Sequence, residues 1–183
     1  MLKLKLTTVL ILLCIMSVVL VSSTMSYSAS DPYLENVSDD NIVNSSPSIQ
    51  MYFYIKKYAE KFSIPEPYAF SLAYQETRYG GPLDLNYNHK QKSYAGALGP
   101  MQIMPATAKL IYGKYIPKTK LMSDINLNVM ISMKLLRRLH DKYNDWGLVF
   151  GAYNTGRPCV NGYARNILAH QYIWDDLKKF KIL

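Results

Sequence analysis

Beyond position 51, apolar residues recur at helical intervals, and no stretch alternates apolar and polar at every second position. That periodicity restricts the chain to packed helices, since each helix has an apolar stripe that only a neighbour can bury. Met51 to Phe62 reads as a first helix, ended by Ser63-Ile64-Pro65. A second opens at prolines, which are tolerated in a first helical turn. It runs through Tyr68 to about Tyr79, where Gly80-Gly81-Pro82 stops it. Residues 83–100 read as a polar, glycine-containing loop, long for a compact domain and therefore a place to look for function. Pro105 starts a short helix through Tyr112. Ser123 or Asp124 caps a long one from Ile125 to Tyr143, with Ile125, Val129, Met133, Leu136, Leu139 and Tyr143 at helical intervals. Another helix covers roughly Trp146 to Asn154, and one or two more cover Gly162 to Phe180. The expected fold class is all-α.

The start of the chain is different. Lys3 and Lys5 precede a charge-free run from Leu6 to Met25, and small residues follow at Ser26, Ser28 and Ala29. Residues 1–25 read as a secretory signal peptide or a retained membrane anchor, the run being almost the length that spans a bilayer. Either alternative places the rest outside the cytoplasm. Residues 26–50 are rich in Ser, Asp and Asn and carry four acids without a Lys or Arg, so they read as a flexible acidic linker. The ordered domain is expected over 51–183.

That domain is basic, with 19 Lys and Arg against 9 Asp and Glu from residue 51 onward. An exported basic domain suits anionic polymers such as cell walls, and export argues against nucleic acid as a partner. Cys159 is the one cysteine beyond the leader, so no disulfide within the domain is available and packing must hold it together. No His neighbours Cys159 to act as a base, and it reads as a partly buried loop residue. Sixteen tyrosines against five phenylalanines suggest half-buried rings with wet hydroxyls, as in a groove for a polar polymer, although packing alone also uses such rings.

One acid stands out. Ala69, Leu72, Ala73 and Glu76 fall at i, i+3, i+4 and i+7, which puts the carboxyl at the end of an apolar stripe. Desolvation there disfavours the charged form, and a carboxylic acid with a raised pKa can protonate a glycosidic oxygen near neutral pH. The bland alternative is a helix end from which Glu76 reaches water. His89, His140 and His170 are scattered without zinc-ligand spacing, and neither calcium-type nor phosphate-cradling loops occur. Neither metal nor cofactor is expected.

Three stretches occur in order: Tyr74-Gln75-Glu76-Thr77; Ser93-Tyr94-Ala95-Gly96-Ala97-Leu98-Gly99-Pro100-Met101-Gln102-Ile103-Met104-Pro105-Ala106-Thr107-Ala108; and Gly151-Ala152-Tyr153-Asn154-Thr155-Gly156. Together they resemble the soluble-type (SLT) lytic transglycosylases of the lysozyme-like superfamily. That family carries a Glu-Ser pair at a helix end, a Gly-Leu-Met-Gln stretch before a Met-Pro helix start, and an Ala-Tyr-Asn-Ala-Gly motif. The resemblance covers about residues 51–170.

The resemblance implies a lysozyme-like domain that cleaves the MurNAc-GlcNAc bond of peptidoglycan glycan strands, with Glu76 as general acid and then base. It implies a substrate contact at Ser93, groove positions at Gln102 and Met104, and a Tyr153 hydroxyl near the catalytic carboxylate. Thr77 stands where a serine is usual, keeps a hydroxyl and counts among the implied substrate-binding positions, while Asn154 either lies in the groove or supports the Tyr153 turn. Pro100 replaces the usual Leu and removes a backbone donor. Residues 80–92 look like an insertion. Asp84, Asp124, Asp141 and Asp145 lie outside the family pattern, and Asp124 and Asp145 read as helix caps. With one carboxylate, the resemblance implies that the muramic acid N-acetyl group assists and its 6-hydroxyl attacks, leaving a 1,6-anhydro end. Two alternatives stay open: a goose-type lysozyme hydrolysing the same bond, and an inactive wall-binding or assembly factor. A lone domain of this kind is associated with a secretion, conjugation or phage-assembly apparatus as its partner.

Overall fold

The computed structural model describes residues 39–170. The expected signal or anchor at 1–25 and the stretch beyond His170 lie outside them. Eight helices are described: α1 (Asp39–Val43), α2 (Pro47–Lys61), α3 (Glu66–Thr77), α4 (Pro105–Tyr112), α5 (Lys118–Ser123), α6 (Ile125–Tyr143), α7 (Trp146–Thr155) and α8 (Gly162–His170). The described residues contain no strand, only two isolated antiparallel bridges, Lys92–Leu98 and Leu98–Ile103. None of these helices is long and apolar enough to cross a membrane.

Ordered structure reaches back into the span read as a flexible linker. Ser46 caps α2 by accepting a bond from the Ile49 amide, Pro47 occupies the first turn, and Ile42 and Ser48 are buried. The cause lies far along the chain. The buried Tyr79 hydroxyl donates to the Ser48 carbonyl at 2.7 Å, and Ser48 Oγ donates to the Pro82 carbonyl at 3.1 Å. Composition could not reveal this. The described residues form one compact unit with its own core.

Helix α6 is the backbone of that unit. Asp124 caps it by accepting from the Leu127 amide, and it packs on α2, α4, α5 and α7 through a face containing Val129, Met133 and Leu136. Helices α3 and α8 pack on each other, and α8 also packs on α7. Gly151 permits the approach of the following loop to α7. An added Cβ there would lie 1.7 Å from the Cys159 backbone oxygen. The Cys159 side chain itself is exposed, not partly buried.

Two boundaries differ from expectation. Helix α3 ends at Thr77 because Arg78 turns left-handed, at φ 59°, with its amide donating to the Tyr74 carbonyl, so the chain leaves two residues before the glycines. The six-residue α5 has one buried side chain, Leu121, and so shows no period.

Candidate active site

Glu76 is the penultimate residue of α3, on the face that buries Ala69, Leu72 and Ala73, and is itself only partly exposed. Its Oε1 accepts a hydrogen bond from the hydroxyl of Tyr163, at the second position of α8. Burial pushes the carboxyl from 4.5 up to about 7, the Tyr163 bond opposing part of that rise. Glu76 can therefore carry a proton near neutral pH. Burial and the Glu76 charge together push the Tyr163 hydroxyl well above its ordinary range, so it remains a proton donor toward the carboxylate.

Tyr153 is nearby, since the Glu76 charge also raises its hydroxyl after burial, but its bonds go elsewhere. It donates to the Met101 carbonyl at 2.7 Å, which leaves Ser132 Oγ to donate to it at 2.9 Å. The role expected of Tyr153 is thus split: Tyr163 grips the acid, and Tyr153 fixes the wall beside it. Tyr163 carries a sequence signal in retrospect, one turn before the buried Ile167 on the same face of α8.

The 78–104 loop that faces this end of α3 is built from side-chain bonds to backbone. Thr77 is 3% exposed. Its hydroxyl donates to the Pro100 carbonyl at 2.8 Å and meets the Tyr87 hydroxyl at 2.8 Å. Thr77 belongs behind the site and not among substrate contacts, because the hydroxyl is already used and covered. Pro100 lacks a donor, but its carbonyl is what this arrangement needs. Asn128 of α6 ties the loop down: Oδ1 accepts from the Met101 amide, and Nδ2 donates to the Leu98 and Leu121 carbonyls. Gly99, at φ 76°, lies so close that an added Cβ would sit 2.5 Å from Asn128 Nδ2.

The other expected site residues divide. Ser93 Oγ accepts from the Ala97 amide and shapes the 93–97 turn. Gln102 has a left-handed backbone, at φ 50°, and its amide donates to the Gly99 and Gln91 carbonyls. Both are partly exposed at the loop surface. Met104 is 41% exposed at the N-terminus of α4, where a ligand could touch it. Asn154 is exposed and accepts from Asn161 Nδ2, bridging α7 to the start of α8. Among the described residues, no group of three or more His, Cys, Asp or Glu side chains comes together.

Several tyrosine hydroxyls are used within the fold: Tyr58 reaches Asn126, Tyr79 Ser48, Tyr87 Thr77 and Tyr153 Met101, whereas Tyr94, Tyr112 and Tyr115 are exposed.

The model of the transglycosylase SLT domain matches residues 53–172. The chain belongs to this family. Solved structures with the SLT fold agree. The 70-kDa soluble lytic transglycosylase of Escherichia coli is 25% identical, with a TM-score of 0.57, over 70% of this chain and 24% of that one. A 70-kDa soluble lytic transglycosylase in complex with bulgecin A matches at 25% identity and a TM-score of 0.58, over 70% of this chain and 24% of that one. An inactive glutamate-to-glutamine mutant of the Pseudomonas aeruginosa lytic transglycosylase Slt matches at 19% identity and a TM-score of 0.57, over 68% and 24%. The SLT chain thus corresponds to about a quarter of the length of these larger proteins.

Proposed function

We propose that this SLT domain is a peptidoglycan lytic transglycosylase, acting outside the cytoplasm, with Glu76 as its acid and base. The observation that carries the reading is Glu76: a partly buried carboxyl pushed up to about 7 and held by Tyr163 at the end of α3. Such an acid is protonated often enough to donate and basic enough to take a proton back.

In the first half-reaction the Glu76 carboxyl gives its proton to the glycosidic oxygen as the bond from the muramic acid anomeric carbon breaks. The substrate's N-acetyl oxygen stabilises the anomeric centre. In the second, the Glu76 carboxylate takes the proton of the muramic acid 6-hydroxyl while that oxygen bonds the anomeric carbon. The 1,6-anhydro ring closes, the N-acetyl group is released and the enzyme regains its proton, with no water consumed. Tyr163 stabilises the carboxylate between the two halves. Membership of the SLT family, and relatives named as lytic transglycosylases, support the reaction class.

The test is mass spectrometry of muropeptides released from purified peptidoglycan. Products one water lighter than hydrolysis products, absent with Glu76→Gln, are expected. Reducing ends would move the assignment to a lysozyme-type hydrolase. Equal release by both proteins would end the role of Glu76, and strand binding without release would make the domain a binding module.

A further inference from the structure

We infer that the outer surface of α4, α5 and their connection is a docking surface for an anionic bilayer. It is independent of the catalytic reading. Nine large hydrophobic side chains are exposed among the described residues, and three of them, Leu110, Tyr112 and Tyr115, fall within six positions of one another. Ala108, Ile111, Ile116 and Leu121 bury the inner side of this region. Helical geometry then turns Lys109 and Leu110 outward, and Leu110 is 65% exposed. Tyr115, in the connection, is 71% exposed.

Cations are close in sequence to these apolar groups. Lys109, Lys114, Lys118 and Lys120 are all exposed, and residues 106–123 contain no Asp or Glu. Among the described residues none of the four lysines is in an ion pair. Lys114 lies over the Tyr112 ring, 5.4 Å from its centre. Aliphatic and tyrosine side chains that enter the headgroup boundary, ringed by lysines whose stems lie flat and whose ammonium groups meet phosphate, match an interface between acyl chain and headgroup. A sugar polymer would use the lysines and the rings, but it has no complement for an exposed Leu110.

The test uses residues 38–183, the compact unit, in co-sedimentation with vesicles of phosphatidylcholine with and without phosphatidylglycerol. Circular dichroism melting verifies that every variant is folded. Binding should require phosphatidylglycerol and weaken with added salt. Each lysine reversed to Glu should cost on the order of fivefold in partitioning, and all four together several hundredfold. Leu110→Ser with Tyr115→Ser should weaken binding without changing its salt dependence. No vesicle binding, binding that ignores the lysines, or lysine-dependent binding to purified peptidoglycan in place of vesicles would overturn the inference.

Discussion

A carboxylic acid whose pKa is raised into the neutral range makes folding itself sensitive to pH. The Glu76 carboxyl ionises at 4.5 without its environment and at about 7 within it. The folded chain therefore loses stability relative to the unfolded chain as pH rises between these values, by about 3 kcal/mol in total. Glu76→Gln has no such loss. Its melting temperature should match the wild type at about pH 4 and exceed it at about pH 8, the two curves parting across the interval; thermal melts at several pH values measure this, and curves that stay parallel would contradict burial of a titrating acid. Tyr163→Phe removes the bond that opposes the rise, so the Glu76 pKa should go higher still. The alkaline limb of the pH-rate profile should move up in pH. kcat should fall on the order of tenfold to a hundredfold because the acid is no longer aimed. The half-buried setting of Glu76 was legible in its spacing on the apolar face, whereas its choice as the acid came from the motif resemblance. Its partner was not, because the bond joins residues 87 positions apart and depends on how α8 docks.

At the scale of elements, the loop from 78 to 104 is held by few but buried bonds, and these set what breaks it. Asn128 serves three backbone groups from inside α6. Asn128→Ala should cost about 3 kcal/mol or more, since each buried group left without a partner costs about 1–3 kcal/mol. Chemical denaturation should register that loss, and activity should fall with it as Met101 and Gln102 shift. Gly151→Ala should be as damaging for a different reason, because a methyl group there meets Cys159 backbone and not a flexible side chain. Helix starts at Pro105, Ile125 and Trp146 were readable because proline and aspartate caps mark them with local chemistry. The end of α3 was not, because an arginine in a left-handed turn carries no mark, and glycines two residues later offered a false one. Motif position makes Thr77 and Gln102 substrate-binding positions. Thr77 is instead buried with its hydroxyl on Pro100 and Tyr87, while the partly exposed Gln102 side chain also ties the loop at Gly99, bonds that motif position does not reveal.

Across the whole molecule, the candidate acid is assembled by helices far apart in the sequence, Glu76 from α3 and Tyr163 from α8. Among the described residues, helix α8 encloses two side chains, Ala164 and Ile167, so within them few enclosed apolar groups oppose its detachment. The α2–α6–α7 core, with Met51, Ile55, Met133 and Phe150 fully enclosed, is far better held. Regions with few buried contacts open locally at a lower free energy than the global transition. Detachment of α8 alone would free Glu76 of its hydroxyl donor and expose the carboxyl to water, returning its pKa toward 4.5. On heating, catalysis should therefore fail below the temperature at which the helical signal is lost. Ile167→Ala should widen that gap. Removing a buried Ile side chain costs about 2–5 kcal/mol, and here the cost falls on α8 first. Activity assays against temperature beside circular dichroism melts of the same samples measure the gap. Coincident curves in both proteins would mean that α8 unfolds only with the core, and that the acid and its donor share one cooperative unit.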